Sequence, residues 1–121
     1  MAKKILIADP DLGFTDVLIN GLQEKGFEVE TVYEGDVALR KARKEMPDLL
    51  IAEIQLPAVD GLKLCRFIKF DKKRSRIKVI FVTTEEDEET KKITKEVGAD
   101  QTLFKSEAIP NLIERISGIL Q

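Results

Sequence analysis

The sequence predicts a (βα)5 fold, a doubly wound α/β domain spanning residues 1–121, and three observations predict it. Five short apolar, β-prone runs begin at positions 5, 27, 49, 77 and 102, so their starts fall about 22 to 28 residues apart. Helical apolar periodicity fills the gaps between them. No linker, low-complexity tract or internal repeat divides the 121 residues, a length that suits one domain with a substantial core. Strands alternating with helices of this length require crossover connections, and hence a parallel sheet covered on both faces.

The first strand is ILIA at 5–8, followed by a helix in which Phe14, Leu18 and Leu22 recur every four residues. Gly26 lies just past that helix, where a left-handed C-cap is wanted. FEVETV at 27–32 is the second strand, and Ala38, Ala42 and Met46 mark the second helix. LLIAEI at 49–54 reads as a strand buried on both faces, and Pro57 and Gly61 supply the turn that ends it. Cys65 is expected to pack as a small apolar side chain in the third helix, with KFDKKRSRIK at 69–78 as a solvated loop behind it. IKVIFVT at 77–83 is the fourth strand. EEDEET then opens the fourth helix, with Glu88 placed to pair with Lys92 at i,i+4. Only Ile93 and Val97 anchor that helix, so weak attachment is expected, and Gly98 caps its end. TLF at 102–104 is the fifth strand, and Ile109, Leu112, Ile113, Ile116 and Leu120 stripe the last helix.

Composition excludes several classes of function. Charged residues make up 35% of the chain, above the roughly 25% typical of globular proteins, which favours a heavily solvated surface. The net charge of −2 points to no nucleic-acid partner. With a single cysteine there is no internal disulfide. With no histidine there is no Ser-His-Asp triad and no histidine-ligated zinc. The apolar stretch after Lys3 and Lys4 is too short for a signal-peptide core, and nothing approaches the roughly 18 apolar residues of a membrane span. The reading is a soluble, cytoplasmic protein.

In open parallel sheets ligands bind beyond the carboxyl ends of the strands, so what each strand ends in matters. The first ends at Asp9, the third at Glu53, the fourth at Thr83 and Thr84, and the fifth at Lys105. Any one of these could be a polar residue at an exposed strand end. Two acids, hydroxyls and an ammonium on one edge together suit a phosphoryl-handling site.

At ILIADPD, GDVAL, PDLLIAEIQLPAVDG, VIFVT and GADQTLFK, essentially over its whole length, the chain resembles the receiver domain of bacterial two-component response regulators. The resemblance implies a flavodoxin-like parallel sheet in the order 2-1-3-4-5. It also implies a phosphorelay site in which an aspartate ending the third strand accepts a phosphoryl group from a histidine kinase. On this pattern Asp9 matches the first metal-site acid, Thr83 the hydroxyl that bonds the phosphoryl group, and Lys105 the lysine that contacts it. Pro57 and Gly61 match the turn after the acceptor.

The rest of the pocket departs from the family pattern. Glu53 stands at the acceptor position, where one extra methylene moves the carboxylate by about 1–1.5 Å, a misplacement that can cost on the order of 10²-fold in rate. Pro10 replaces the second metal-site acid, so Mg²⁺ binding is expected to be weak or lost. Asp11 is the residual metal candidate, but Asp is also favoured as a helix N-cap, and that is its expected role. Thr84 takes the place of a small residue and Thr102 that of the switch aromatic. Ser106 replaces a proline, so the bond before it is expected to be trans.

The expectation is a degenerate receiver, a non-enzymatic module without cofactor in which Glu53 pairs with Lys105, with help from the Thr83 hydroxyl, as a partial phospho-mimic. The resemblance puts its protein partner on the face of the fourth helix, fifth strand and fifth helix, with the chain a monomer or weak homodimer. Two alternatives stand beside it. One is a working phosphoacceptor with an atypical site. The other is a haloacid-dehalogenase-type phosphatase using Asp9 and Asp11 of DPD, against which the missing hairpin insertion and late acidic pair weigh.

Overall fold

The computed structural model describes residues 2–121. The strands are β1 (Lys4–Ala8), β2 (Glu28–Val32), β3 (Leu49–Ala52), β4 (Lys78–Thr83) and β5 (Gln101–Phe104). They alternate with the helices α1 (Leu12–Glu24), α2 (Gly35–Glu45), α3 (Gly61–Lys69), α4 (Glu88–Glu96) and α5 (Ile109–Ile119). The sheet is parallel throughout, in the order β2-β1-β3-β4-β5.

Alternation along the strands feeds two cores. Ile5, Ile7, Leu49, Ile51, Ile80, Val82 and Leu103 point towards α1 and α5, where they meet Leu18, Leu22, Leu112 and Ile116. Leu6, Ala8, Leu50, Ala52, Val79 and Phe81 point the other way, against Ala38 and Ala42 of α2 and Leu64, Cys65 and Ile68 of α3. Each fully buried Leu, Ile or Phe contributes about 1.5–3 kcal/mol relative to leaving it exposed. β3 is apolar on both faces because both layers cover it.

Helix ends follow the cap chemistry. Asp11, Asp60 and Asp87 each accept a hydrogen bond from the backbone N–H three residues on. Gly26 and Gly98 both have φ +93, the left-handed conformation that ends their helices.

Four expectations are corrected. β3 stops at Ala52 rather than 54. α4 begins at Glu88 rather than at the start of EEDEET, because Asp87 is its N-cap and leaves Glu85 and Glu86 in the preceding loop. Glu88 pairs with Lys91 at i,i+3 (3.3 Å), not with Lys92. Finally, Val97 is buried at the end of α4 as expected, but Ile93 is only half-buried and the helix buries Thr90 and Thr94 instead. The Thr94 hydroxyl also bonds the Thr102 hydroxyl at 2.9 Å, so a polar contact joins α4 to β5.

Register fixes the functional edge. Ala8 lies opposite Ala52, Ala52 opposite Phe81, and Thr83 opposite Phe104. The residues that follow β1, β3 and β5 therefore emerge side by side at the carboxyl edge of the sheet.

Candidate functional site

Asp9, Glu53 and Lys105 are the first residues beyond β1, β3 and β5, and the ladder continues just far enough to hold them. The Glu53 N–H donates to the Ala8 carbonyl at 3.0 Å, and the Lys105 N–H to the Thr83 carbonyl at 2.9 Å. Both acids are buried, Asp9 at 2% exposure and Glu53 at 7%. Such burial is costly for a carboxylate unless it is paired.

The pairing is a bridge. Lys105 Nζ lies 2.8 Å from Asp9 Oδ2 and 3.2 Å from Glu53 Oε2. The remaining oxygen of each acid is also satisfied, Asp9 Oδ1 by the Asp11 N–H (2.8 Å) and Glu53 Oε1 by the Ile54 N–H (2.7 Å). Above the ammonium lies the Phe14 ring, its centroid 4.6 Å from Nζ, a favourable cation–π distance. One cation thus joins three strand ends under an aromatic lid.

Burial pushes the Asp9 carboxyl above its ordinary value, and the Lys105 hydrogen bond opposes that shift without cancelling it. Burial works to lower the Lys105 ammonium, but the hydrogen bond to Asp9 and the attraction of both acids outweigh it, so its pKa is raised. The lysine is held firmly charged.

The other predicted residues divide. Thr83 is fully buried at the end of β4, but its Oγ1 accepts from the Glu85 N–H at 3.2 Å. Its hydroxyl makes no hydrogen bond to Glu53 or Lys105, and the bond it accepts fastens the turn towards α4. Thr84 is exposed, and Thr102 bonds Thr94 away from the bridge. Asp11 caps α1 through Phe14 N–H (3.1 Å). No peptide bond among the described residues is cis, that before Ser106 included.

Sequence reasoning missed two contributors. Phe14 was read only as part of the α1 apolar stripe, although its place in the first turn sets it over the strand edge. Gly35 was read only as the start of a helix. In fact its N–H donates to the Pro57 carbonyl (3.0 Å), and a Cβ there would lie 1.6 Å from the Val59 carbonyl oxygen. A Cβ on Gly61 would similarly lie 2.2 Å from the Glu53 carbonyl oxygen. These two glycines let the loop after β3 fold back against α2 and under Glu53. Ala58, at φ +68, sits at the tip of that loop, and the Val59 N–H closes the turn on Pro57 at 2.8 Å.

A divalent cation such as Mg²⁺ needs near-octahedral oxygen donors. Here Asp9 and Glu53 have both oxygens committed, Pro10 offers no side-chain donor, and Asp11 is a helix cap. Among the described residues no three His, Cys, Asp or Glu side chains converge to hold a metal.

Comparison with known proteins agrees with the fold. The family described as response regulator receiver domain matches residues 5–117. The alkaline phosphatase synthesis transcriptional regulatory protein PhoP of Bacillus subtilis (strain 168) is 30% identical over 121 residues, covering 100% of this chain and 50% of PhoP. The phosphate regulon transcriptional regulatory protein PhoB of Rhizobium meliloti (strain 1021) is 31% identical, with 53% of its length covered. The chain thus spans about half the length of these curated relatives. The chemotaxis response regulator CheY4 of Vibrio cholerae superposes with a TM-score of 0.91 at 28% identity, over 99% of this chain and 100% of CheY4. The chain belongs to the response-regulator receiver-domain family, the signal-receiving modules of two-component systems. No helix among the described residues is long and apolar enough to cross a membrane.

Proposed function

We propose that this receiver is a pseudo-receiver, a two-component module that is not switched by phosphorylation and works by binding partner proteins. The observation that carries the reading is the double bridge from Lys105 to Asp9 and Glu53. On the family pattern that ammonium contacts the phosphoryl group. Here Glu53 reaches far enough to engage it directly, and Asp9 shares it. The lysine supplies, inside the protein, the positive charge that a divalent cation would otherwise bring between the acids.

Glu53 carries one negative charge, whereas a phosphoryl group carries nearly two with more acceptor oxygens, so the mimicry is partial. On this reading Mg²⁺ binding is weak or lost and the chain performs no catalysis. The module acts in the cytoplasm. Its partner engages the face of α4, β5 and α5, where α4 is anchored through threonines rather than by a deep apolar stripe. That anchoring supports a helix that a partner can adjust at small cost.

The test is incubation with a small acyl-phosphate donor and Mg²⁺, read by intact mass. The proposal expects no added phosphoryl group. Stoichiometric addition that disappears in Glu53→Gln would establish instead an atypical phosphoacceptor. Turnover of a phosphomonoester, lost in Asp9→Asn, would favour the phosphatase alternative.

A further inference from the structure

Four residues close a circuit of contacts around the Lys105 ammonium. Asp9 Oδ1 accepts the Asp11 N–H at 2.8 Å, and Asp11 Oδ1, as the cap of α1, accepts the Phe14 N–H at 3.1 Å. The Phe14 ring lies over Lys105 Nζ at 4.6 Å, and Nζ returns to Asp9 Oδ2 at 2.8 Å. One carboxylate therefore braces the ammonium directly and, through Asp11, the backbone that carries the ring above it. Glu53 adds the second acidic arm at 3.2 Å.

An ammonium has three N–H groups to satisfy. The two carboxylates can take two of them, and in an open site the third would go to water. Here the ring stands over the nitrogen, and the Lys105 side chain is only 12% exposed. An aromatic face attracts a cation more strongly once the pair is removed from water. The pair of Lys91 with Phe104 is the contrast, since it is longer at 5.6 Å and the Lys91 side chain is 46% exposed. Phe14 also packs against the core between the sheet and α1. A leucine would serve that packing but offers no aromatic face to the ammonium.

We propose that Phe14 is a positioning residue for Lys105. Its ring takes the third side of the ammonium, holds it on Asp9 and Glu53, and keeps water and solvent anions from it. Asp11 sets the ring in place. The role rests on the double bridge being the resting state of the site, as proposed above, and adds what keeps that bridge closed.

The test is the exchange of the Lys105 ammonium protons with water, read in ¹H–¹⁵N correlation spectra of the free chain at low temperature. The wild type is expected to give a slowly exchanging Lys105 ammonium signal, shifted by the Phe14 ring current. Phe14→Leu is expected to speed the exchange about tenfold and to remove that shift, whereas Phe14→Tyr keeps both. Asp11→Ala is expected to speed the exchange in the same sense. Asp11→Asn, which can still cap α1, is expected to keep it slow. Circular dichroism shows that each variant is folded, and the Asp11 pair decides the matter should Phe14→Leu fail to fold.

Wild-type exchange as fast as that of the exposed lysines overturns the proposal. So does exchange unchanged in Phe14→Leu, or equal in Asp11→Ala and Asp11→Asn. The spectra are taken without phosphodonor or Mg²⁺, so this role and the pseudo-receiver reading fail separately. Phosphoryl addition to a wild type with slow, Phe14-dependent exchange overturns that reading and supports the role of the ring. No addition, with exchange indifferent to Phe14, does the reverse.

Discussion

Replacing Lys105 by methionine removes the cation that bridges two buried acids while keeping the bulk of the side chain. At an effective dielectric of 20, charges 2.8 Å and 3.2 Å apart attract with about 6 and about 5 kcal/mol respectively. Those gross figures are largely offset by desolvation of all three groups, whose side chains are only 12%, 3% and 9% exposed for Lys105, Asp9 and Glu53. What the variant loses is better judged from breaking a buried pair, about 3–5 kcal/mol, since a charge is left without its partner. For a domain of this size that corresponds to a fall in Tm of roughly 10–25 °C.

The pH dependence carries the sharper signature. Burial already raises the Asp9 carboxyl, and Lys105 is the main group opposing it. Without Lys105, only the Asp11 N–H is left to oppose burial and the Glu53 charge, so the folded state of the variant binds a proton that the unfolded state releases. A carboxyl raised on folding gives stability that is present below its unfolded value and lost as pH rises through its folded value. The variant should therefore be most stable in mild acid and lose stability towards neutrality, with a steeper fall than the wild type. Urea denaturation followed by far-UV circular dichroism measures this, since the chain has no tryptophan. A loss below about 1 kcal/mol, flat from acid to neutral pH, is the behaviour of a surface ion pair and would refute the reasoning.

Glu53→Gln leaves Asp9 to hold Lys105 and keeps an acceptor for the Ile54 N–H, so about 1–2 kcal/mol of destabilisation in the same assay is expected, less than for Lys105→Met. Gly35→Ala should cost about 1–3 kcal/mol despite the better helix propensity of alanine, because its Cβ would collide with the Val59 backbone; thermal melts check this. Cys65 is fully buried, and burial pushes its thiol up to about 12, so alkylation at neutral pH should proceed only through unfolding and accelerate with urea.

The fold was legible because its signals are physical and local. Apolar runs such as LLIA can be buried only in a sheet covered twice, and Gly26 and Gly98 stand where helices must end. The composition of the edge was legible too, since Asp9, Glu53 and Lys105 directly follow strands. What the sequence concealed was how those groups choose partners. Thr83 looks like a helper to Glu53 from its strand position, but its hydroxyl is taken by the N–H of Glu85, two residues along its own chain. Asp9 as a second acceptor for Lys105, and Phe14 as its lid, depend on side-chain directions that periodicity does not specify. Gly35 depends on a contact with the loop after β3, more than 20 residues away, and nothing in its own neighbourhood announces it.

The most direct test of a switch held by its own side chains is a pair of ¹H–¹⁵N correlation spectra. One is recorded on the free chain and one with Mg²⁺ and a beryllium fluoride phosphoryl analogue. The account predicts superimposable spectra, with the Lys105 amide and the resonances of α4 and β5 unmoved, because the bridge already occupies the place both ligands need. Saturable shifts that begin at Asp9, Glu53 and Thr83 and spread into α4 and β5 would contradict it, and would show a receiver still waiting for its phosphoryl group.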